Sequence, residues 1–203
     1  MKARPARLKG PDRFQKRRER TARELLEAAR TVLAAKGYHG TKVVDIAQAA
    51  GVGVGTFYLH YATKEAIFLE LVEDTVRRLK AELDAVQAAT PDPVEAARAG
   101  TETFFRFAQQ NRELFRIVFG HEASFHEVVR RSQEMFVLDI EENLAAGKSI
   151  GTFRDGNTRI WAQAFIGMTL QVVSWWIEQE SIPVEEVTRS LIDLAQHGTL
   201  ATS

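Results

Sequence analysis

Residues 41–64, TKVVDIAQAAGVGVGTFYLHYATK, constrain the fold more than any other stretch of the chain. Thr41 is a good N-cap, since its hydroxyl can accept a hydrogen bond from an orphan backbone N–H two or three residues on. Val44 and Ala47, with Val43 beside them, then give one apolar side to a helix of about two turns. Gly51 falls where that helix must stop, and glycine accepts the left-handed backbone of a tight turn. Val52 returns to the core, and residues 53–61 supply a second short helix. Its Phe57 and Tyr61, four apart, face inward, while Thr56, Tyr58 and His60 point elsewhere. Two short helices about a glycine turn make the helix-turn-helix pattern, whose second helix enters the DNA major groove while the first crosses the backbone.

The charge distribution agrees. A net charge of zero conceals 13 Lys and Arg against 5 Asp and Glu in residues 1–61, and 14 against 22 in residues 62–203. A basic first third joined to an acidic remainder points to a polyanion, nucleic acid foremost, met by the N-terminal end alone. Residues 1–10 are basic and aperiodic, and Asp12 with Gln15 can form a capping box at the start of the first helix. Arg13, Lys16, Arg17, Arg18 and Arg20 crowd its first turns, where cations oppose the macrodipole. They answer to something outside the fold, and phosphate is the natural counter-charge. The absence of cysteine fits a reducing cytosol, and the first twenty residues lack the apolar run of a secretory signal. The expected location is cytoplasmic.

The rest of the chain reads as helix throughout. Leu25, Leu26, Ala29, Val32 and Leu33 line one side of the first helix, which ends at Gly37. Thr63 caps a long fourth helix carrying Ile67, Phe68, Leu71, Val72, Val76, Leu79, Leu83 and Val86, unbroken until Pro91. A fifth helix presents Val94, Ala97, Thr101, Phe104 and Ala108 along one face and leaves Phe105 and Phe107 off it. A short sixth (Leu114, Phe115, Val118, Phe119) stops at Gly120. The seventh carries Val128, Met135, Phe136, Ile140 and Leu144, with Gly147 as its C-cap. From 161 to 177 no residue is charged and apolar side chains cover every side, so this eighth helix must be buried all round. Interruption by Gln163, Thr169, Gln171 and Ser174 and the short length speak against a membrane span, and a second subunit is the better cover. Pro183 opens a ninth helix with Val184, Val187, Leu191, Leu194 and Ala195 as its apolar side.

Two motifs fail on inspection. Gly51, Gly53 and Gly55 lack the spacing of a dinucleotide loop and follow a helix rather than a strand. His121, Glu122 and His126 resemble a zinc-protease motif, but histidines five apart diverge by about 140° around a helix and cannot share a ligand. No nucleophile–base set and no carboxylate pair in a cleft is present, so no catalytic residue, metal site or cofactor is expected.

The run Gly37-Tyr38, Thr41, Val43, Val44, Asp45-Ile46-Ala47, Ala50-Gly51-Val52, Gly55-Thr56-Phe57-Tyr58, His60-Tyr61 and Thr63-Lys64-Glu65 closely resembles the N-terminal signature of the tetracycline-repressor (TetR) family of transcriptional regulators. The resemblance implies an all-α protein of about nine helices. A three-helix DNA-binding domain would occupy residues 1–62, and a helical effector-binding and dimerisation domain residues 63–203. It implies that Tyr58, His60 and Lys64 take phosphates, and that Thr41 and Lys42 clamp the backbone from the preceding helix. Val54, Gly55, Thr56 and Leu59 are left to meet base edges; being mostly apolar, they suit thymine methyls and water-mediated bonds. The aromatic surplus of the C-terminal part suits a ligand cavity between bundle helices. Phe104, Phe107, Phe115, Phe119, Met135, Phe136, Trp161, Phe165 and Met168 are the candidates for its wall. The last two helices of each of two chains would form the dimer interface, through Trp161, Phe165, Met168, Val172, Trp175, Val187, Leu191 and Leu194.

The expected partners are double-stranded operator DNA, a second copy of the chain and a small apolar or amphipathic effector, with no membrane. An acyl compound or an aromatic drug-like molecule would suit the cavity, and an acyl-CoA could rest its charged head near Arg106, Arg112, Arg116 or Arg130. The expected role is that of a repressor released by its effector; the alternative is a DNA-binding protein of the same fold governed by a protein partner.

Overall fold

The computed structural model describes residues 13–119, 126–179 and 181–199, which form nine helices. They are α1 (Arg13–Gly40), α2 (Val43–Ala49), α3 (Val54–Tyr58), α4 (Lys64–Ala89), α5 (Pro93–Gln110), α6 (Arg112–Phe119), α7 (His126–Ser149), α8 (Thr158–Trp176) and α9 (Val184–Thr199). Asp12 of the capping box, Gly120 after α6, and His121 and Glu122 lie outside the described residues. The chain divides into two compact units, Met1–Leu71 and Val72–Ser203. The break falls inside α4 rather than after residue 62. Ile67, Phe68 and Leu71 of its first turns are fully buried, and Phe68 packs edge-on against Tyr38 at 5.0 Å between ring centres.

In the first unit α1 buries Leu25, Leu26, Ala29, Val32 and Leu33, the stripe expected of it. Gly37, at φ 67° and ψ 175°, breaks the helical path there. Two local expectations change. The N-cap position of α2 belongs to Lys42, whose backbone N–H donates to Asp45 Oδ2 at 2.9 Å, and not to Thr41. The Thr41 hydroxyl instead turns back and donates to the Gly37 carbonyl at 2.7 Å, satisfying an acceptor left over where α1 breaks. Val44 is exposed, while Ile46 and Ala47 are the buried pair of α2. A helix of seven residues has room for one buried turn, and the larger Ile46 occupies it. Phe57 and Tyr61 are buried as their spacing requires.

The second unit is built around α5, which packs against α6, α7 and α9, while α7 runs along α8. Asp92 caps α5 by accepting the Val94 and Glu95 N–H groups, each at 2.9 Å, and Pro93 fills the first turn. Because α5 is covered on more than one side, burial extends beyond the single apolar face expected of it: Thr101 and Ala108 of that face are buried, and so are residues off it. Phe105 and Phe107, read as lying off that face, are among its most buried residues and join Leu79, Phe115, Val173, Trp176 and Ile177 in one core. Phe105 meets the Trp176 indole edge-on, and that indole donates to the Ile182 carbonyl at 3.0 Å.

Gly147 lies within α7 rather than at its C-cap, and the left-handed glycine that follows the helix is Gly151 at φ 80°. What position 147 requires is space: a Cβ there would fall 2.3 Å from the buried Phe153 ring. Gly147→Ala should therefore destabilise the protein by about 1–3 kcal/mol through overpacking, and Gly167→Ala, which meets nothing within 4 Å, should not. Thermal unfolding of the two variants beside the parent checks this.

Candidate functional site

Gly51, at φ 67°, makes the turn between α2 and α3, and its N–H returns to the Gln48 carbonyl at 3.0 Å. Gly53 then starts α3, accepting from the N–H groups of Thr56 and Phe57. Phe57 pins α3 to the core, and the opposite side is left bare: Val54, Gly55, Tyr58 and Leu59 are exposed, with Leu59 at 74 %. Thr56 and His60 flank this face half-buried, and Lys42 is exposed at the start of α2. An exposed Leu beside an exposed Tyr serves nothing inside the unit. Val44, misread as core, is exposed on α2 as well, a residue that apolarity alone could not assign to the surface.

Two of the expected phosphate-contacting residues are engaged within the protein. Thr41 is 2 % exposed, so its side chain is not at the surface. The Lys64 ammonium donates to the carbonyls of Tyr38 at 2.8 Å and Thr41 at 3.1 Å, and lies 4.1 Å from the centre of the Tyr38 ring. Tyr38 in turn donates to Glu65 Oε1 at 3.0 Å. Lys64 thus ties the first turn of α4 to the turn between α1 and α2, and α3 is held between them in the sequence. On the other side of α2, Lys36 donates to Asp45 Oδ1 at 2.8 Å. The Lys36 bond, followed by the Lys42 N–H, holds the Asp45 carboxyl below its usual range.

The second unit encloses a cavity of about 260 Å³, walled by α4 to α9. Phe104, Phe107, Phe115, Phe119, Phe136, Trp161 and Phe165 all line it, with Val72, Val76, Leu79 and Leu83 of α4. Trp161, Phe165, Ile166, Thr169 and Leu170 define the face of α8 that does so. Met135 is not part of the wall, and Met168 packs against the core cluster instead. Arg106, Arg112, Arg116 and Arg130 are also absent from the wall. Arg112 donates to the Gln179 carbonyl at 2.7 Å, Arg116 pairs with Glu113 and Glu178, and Arg130 pairs with Glu127. Side chains that long find carboxylates and helix-end carbonyls nearer than an apolar interior.

The helices expected at a dimer interface divide between core and surface. Val187 and Leu191 are buried in the chain's own core, and Val172 and Met168 are packed against it. The spacing of α9 could not separate the face turned to α5 from one turned outward. Trp175 and Leu194 stand exposed at 51 % and 62 %. Along α8, Ile160, Ala164, Gly167, Gln171 and Trp175 form an exposed stripe at helical spacing. The eighth helix is therefore not buried all round within one chain. Among the described residues no group of His, Asp or Glu could hold a metal ion, and no helix is long and apolar enough to cross a membrane.

A bared recognition face on a helix-turn-helix, followed by a helical unit with its own cavity, defines a DNA-binding transcriptional regulator. Residues 25–71 match the model for bacterial regulatory proteins of the tetR family, and residues 90–199 match that for the tetracyclin repressor-like C-terminal domain. The chain belongs to the TetR family, a family of transcriptional regulators and not of enzymes. It is 29 % identical over 151 residues to the uncharacterised helix-turn-helix-type regulator YdgC of Bacillus subtilis strain 168, covering 72 % of this chain and 75 % of that protein. Its fold is similar to that of the fatty acid degradation regulator FadR of Bacillus halodurans, with a TM-score of 0.75 and 24 % identity over 93 % of this chain and 96 % of that one. It is similar also to a protein of Saccharomonospora viridis solved in complex with choline, with a TM-score of 0.78 and 18 % identity over 91 % and 100 % of the two chains.

Replacing Lys64 by Met should lower the unfolding temperature, since two half-buried carbonyls lose a charged donor worth about 1–3 kcal/mol. Tyr58→Ala, at an exposed position, should leave it unchanged while weakening DNA binding; scanning calorimetry and DNA titration of both variants separate the roles. Asp45 is an acid whose carboxyl is held low in the folded state. Its contribution is complete above pH ~4 and fades as pH falls through the folded value. Urea titrations from pH 6 to 3 should show Asp45→Asn losing less stability on acidification than the parent does.

Proposed function

We propose that the protein is a homodimeric repressor that binds a pseudo-palindromic operator and is released by a small, largely apolar effector held in the bundle cavity. The observation that carries this reading is the continuity of α4. One unbroken helix supplies both Lys64, which braces the helix-turn-helix, and Val72, Val76, Leu79 and Leu83, which face the cavity. A ligand that favours one disposition of this helix over another changes the separation of two recognition helices. Such coupling is usually worth about 1–3 kcal/mol, or 5–150-fold in operator affinity.

On DNA, Lys42, Tyr58, His60 and the spare ammonium proton of Lys64 take phosphates, and Val54, Gly55, Thr56 and Leu59 meet base edges. Thr41 acts from behind, by shaping the turn. Arg13, Lys16, Arg17 and Arg18 are exposed on the first turns of α1, ahead of the segment that matches the family model, and add phosphate contacts beyond the motif. The dimer forms through the exposed α8 stripe with Trp175, and through Leu194 of α9. The similar folds include a fatty acid degradation regulator and a protein solved in complex with choline, so the fold alone does not name an effector and the wall of this cavity must decide it.

Sedimentation should find a dimer for the parent chain, and a shift to monomer with at least tenfold weaker operator binding for Trp175→Glu combined with Leu194→Glu. A parent that sediments as a monomer, or a variant that binds operator unchanged, contradicts the dimer.

A further inference from the structure

We propose that the cavity selects an uncharged, hydrocarbon-rich ligand bearing a single hydroxyl or carbonyl group, and rejects carboxylates and other anions. This rests on the cavity being an effector site.

Among the described wall residues there is no Lys, Arg or His, and the charged ones are Asp84 and Asp139. Both carboxylates are held by the Lys80 ammonium, Asp139 at 3.2 Å, and the bonds to them raise the Lys80 pKa against its burial. The three groups sum to one negative charge. Beside them Asn143 donates to Gln87 at 2.7 Å, closing off a further pair of polar side chains. An entering carboxylate would lose its water and find no cation in the wall, which is the larger penalty, and the half-exposed negative charge adds a screened repulsion. An entering ammonium would find both carboxylates already partnered and half-exposed, too screened to repay the desolvation of a buried cation.

Deeper in the wall the requirement is different. Thr169 on α8 lines the cavity at 6 % exposure, and its hydroxyl has no hydrogen-bond partner. A buried hydroxyl left unsatisfied is costly, and a ligand hydroxyl or carbonyl would relieve it. The hydroxyl has almost no free surface of its own, so meeting the ligand requires a rotation about Cα–Cβ that exchanges it with the methyl group.

The test uses the full-length protein and three probes, 2-decanone, decanoate and decyltrimethylammonium, titrated at pH 8 and followed by calorimetry and tryptophan fluorescence. 2-Decanone should bind at least tenfold more tightly than either ion. Asp84→Asn with Asp139→Asn should narrow the gap between ketone and decanoate. Thr169→Val, which keeps the shape and removes the hydroxyl, should weaken 2-decanone ~3- to 10-fold, leave n-butylbenzene unchanged, and raise the unfolding temperature. Tighter binding of decanoate or of the ammonium than of the ketone overturns the proposal, as does a Thr169→Val variant that treats ketone and hydrocarbon as the parent does. If neither the three probes nor butylbenzene binds at all, the cavity is not an effector site, and the underlying reading falls instead.

Discussion

The arrangement of the DNA-binding unit depends on the first turn of α4. Lys64 places one ammonium on two carbonyls of the Tyr38–Thr41 turn and over the Tyr38 ring, while Glu65 receives the Tyr38 hydroxyl. A cation so placed gives a donor to the Thr41 carbonyl and a second one to the Tyr38 carbonyl, which also accepts the Thr41 N–H at 3.3 Å. One turn further on Ile67 and Phe68, and after a second turn Leu71, close the core under it. With its back fixed in this way, α3 needs only Phe57 as a fully buried anchor, and Val54 and Tyr58 are left on the surface with Thr56 half-buried beside them. The five-residue length of α3 would be marginal for an isolated helix. It is tolerable here because Phe57 is buried in a core that its neighbours supply.

The same helix continues into a unit with a different internal logic. There the core is aromatic, built on Phe105, Phe107, Phe115 and Trp176, and rings at edge-on angles pack well but leave room between them. A cavity is a cost in stability that a purely structural bundle would remove. The glycines at 147 and 156 each press against a ring of the cavity wall, Phe153 and Trp161, so close packing and open space lie side by side in the unit.

Much of this was legible in the sequence because the strongest signals are local. The turn at Gly51, the anchors Phe57 and Tyr61 and the Thr63 cap on α4 all follow from residues within a turn of one another. The errors came where a residue's fate depends on distant neighbours. Val44 and Ile46 are equally apolar, and only the packing of α1 and α4 decides which is covered. Phe105 and Phe107 defied a one-face reading because α5 is enclosed by three helices, and Val187 and Leu191 looked like interface because nothing in α9 names its partner. Seven of the nine candidate wall residues do line the cavity, since aromatic surplus reports on the whole bundle; Met135 and Met168 do not. Gly147 shows the same limit in small, because its neighbour Phe153 arrives only when the chain doubles back.

The most direct measurement is selection of duplexes from a pool of genomic fragments by the full-length protein, followed by affinity for the enriched sequence across a salt series. The account predicts enrichment of a two-fold-related sequence with half-sites about one helical turn, ~34–36 Å, or a multiple of it apart. It also predicts an affinity that falls steeply and linearly in log–log form as salt rises. Failure to enrich any duplex, or an affinity indifferent to salt, would contradict it.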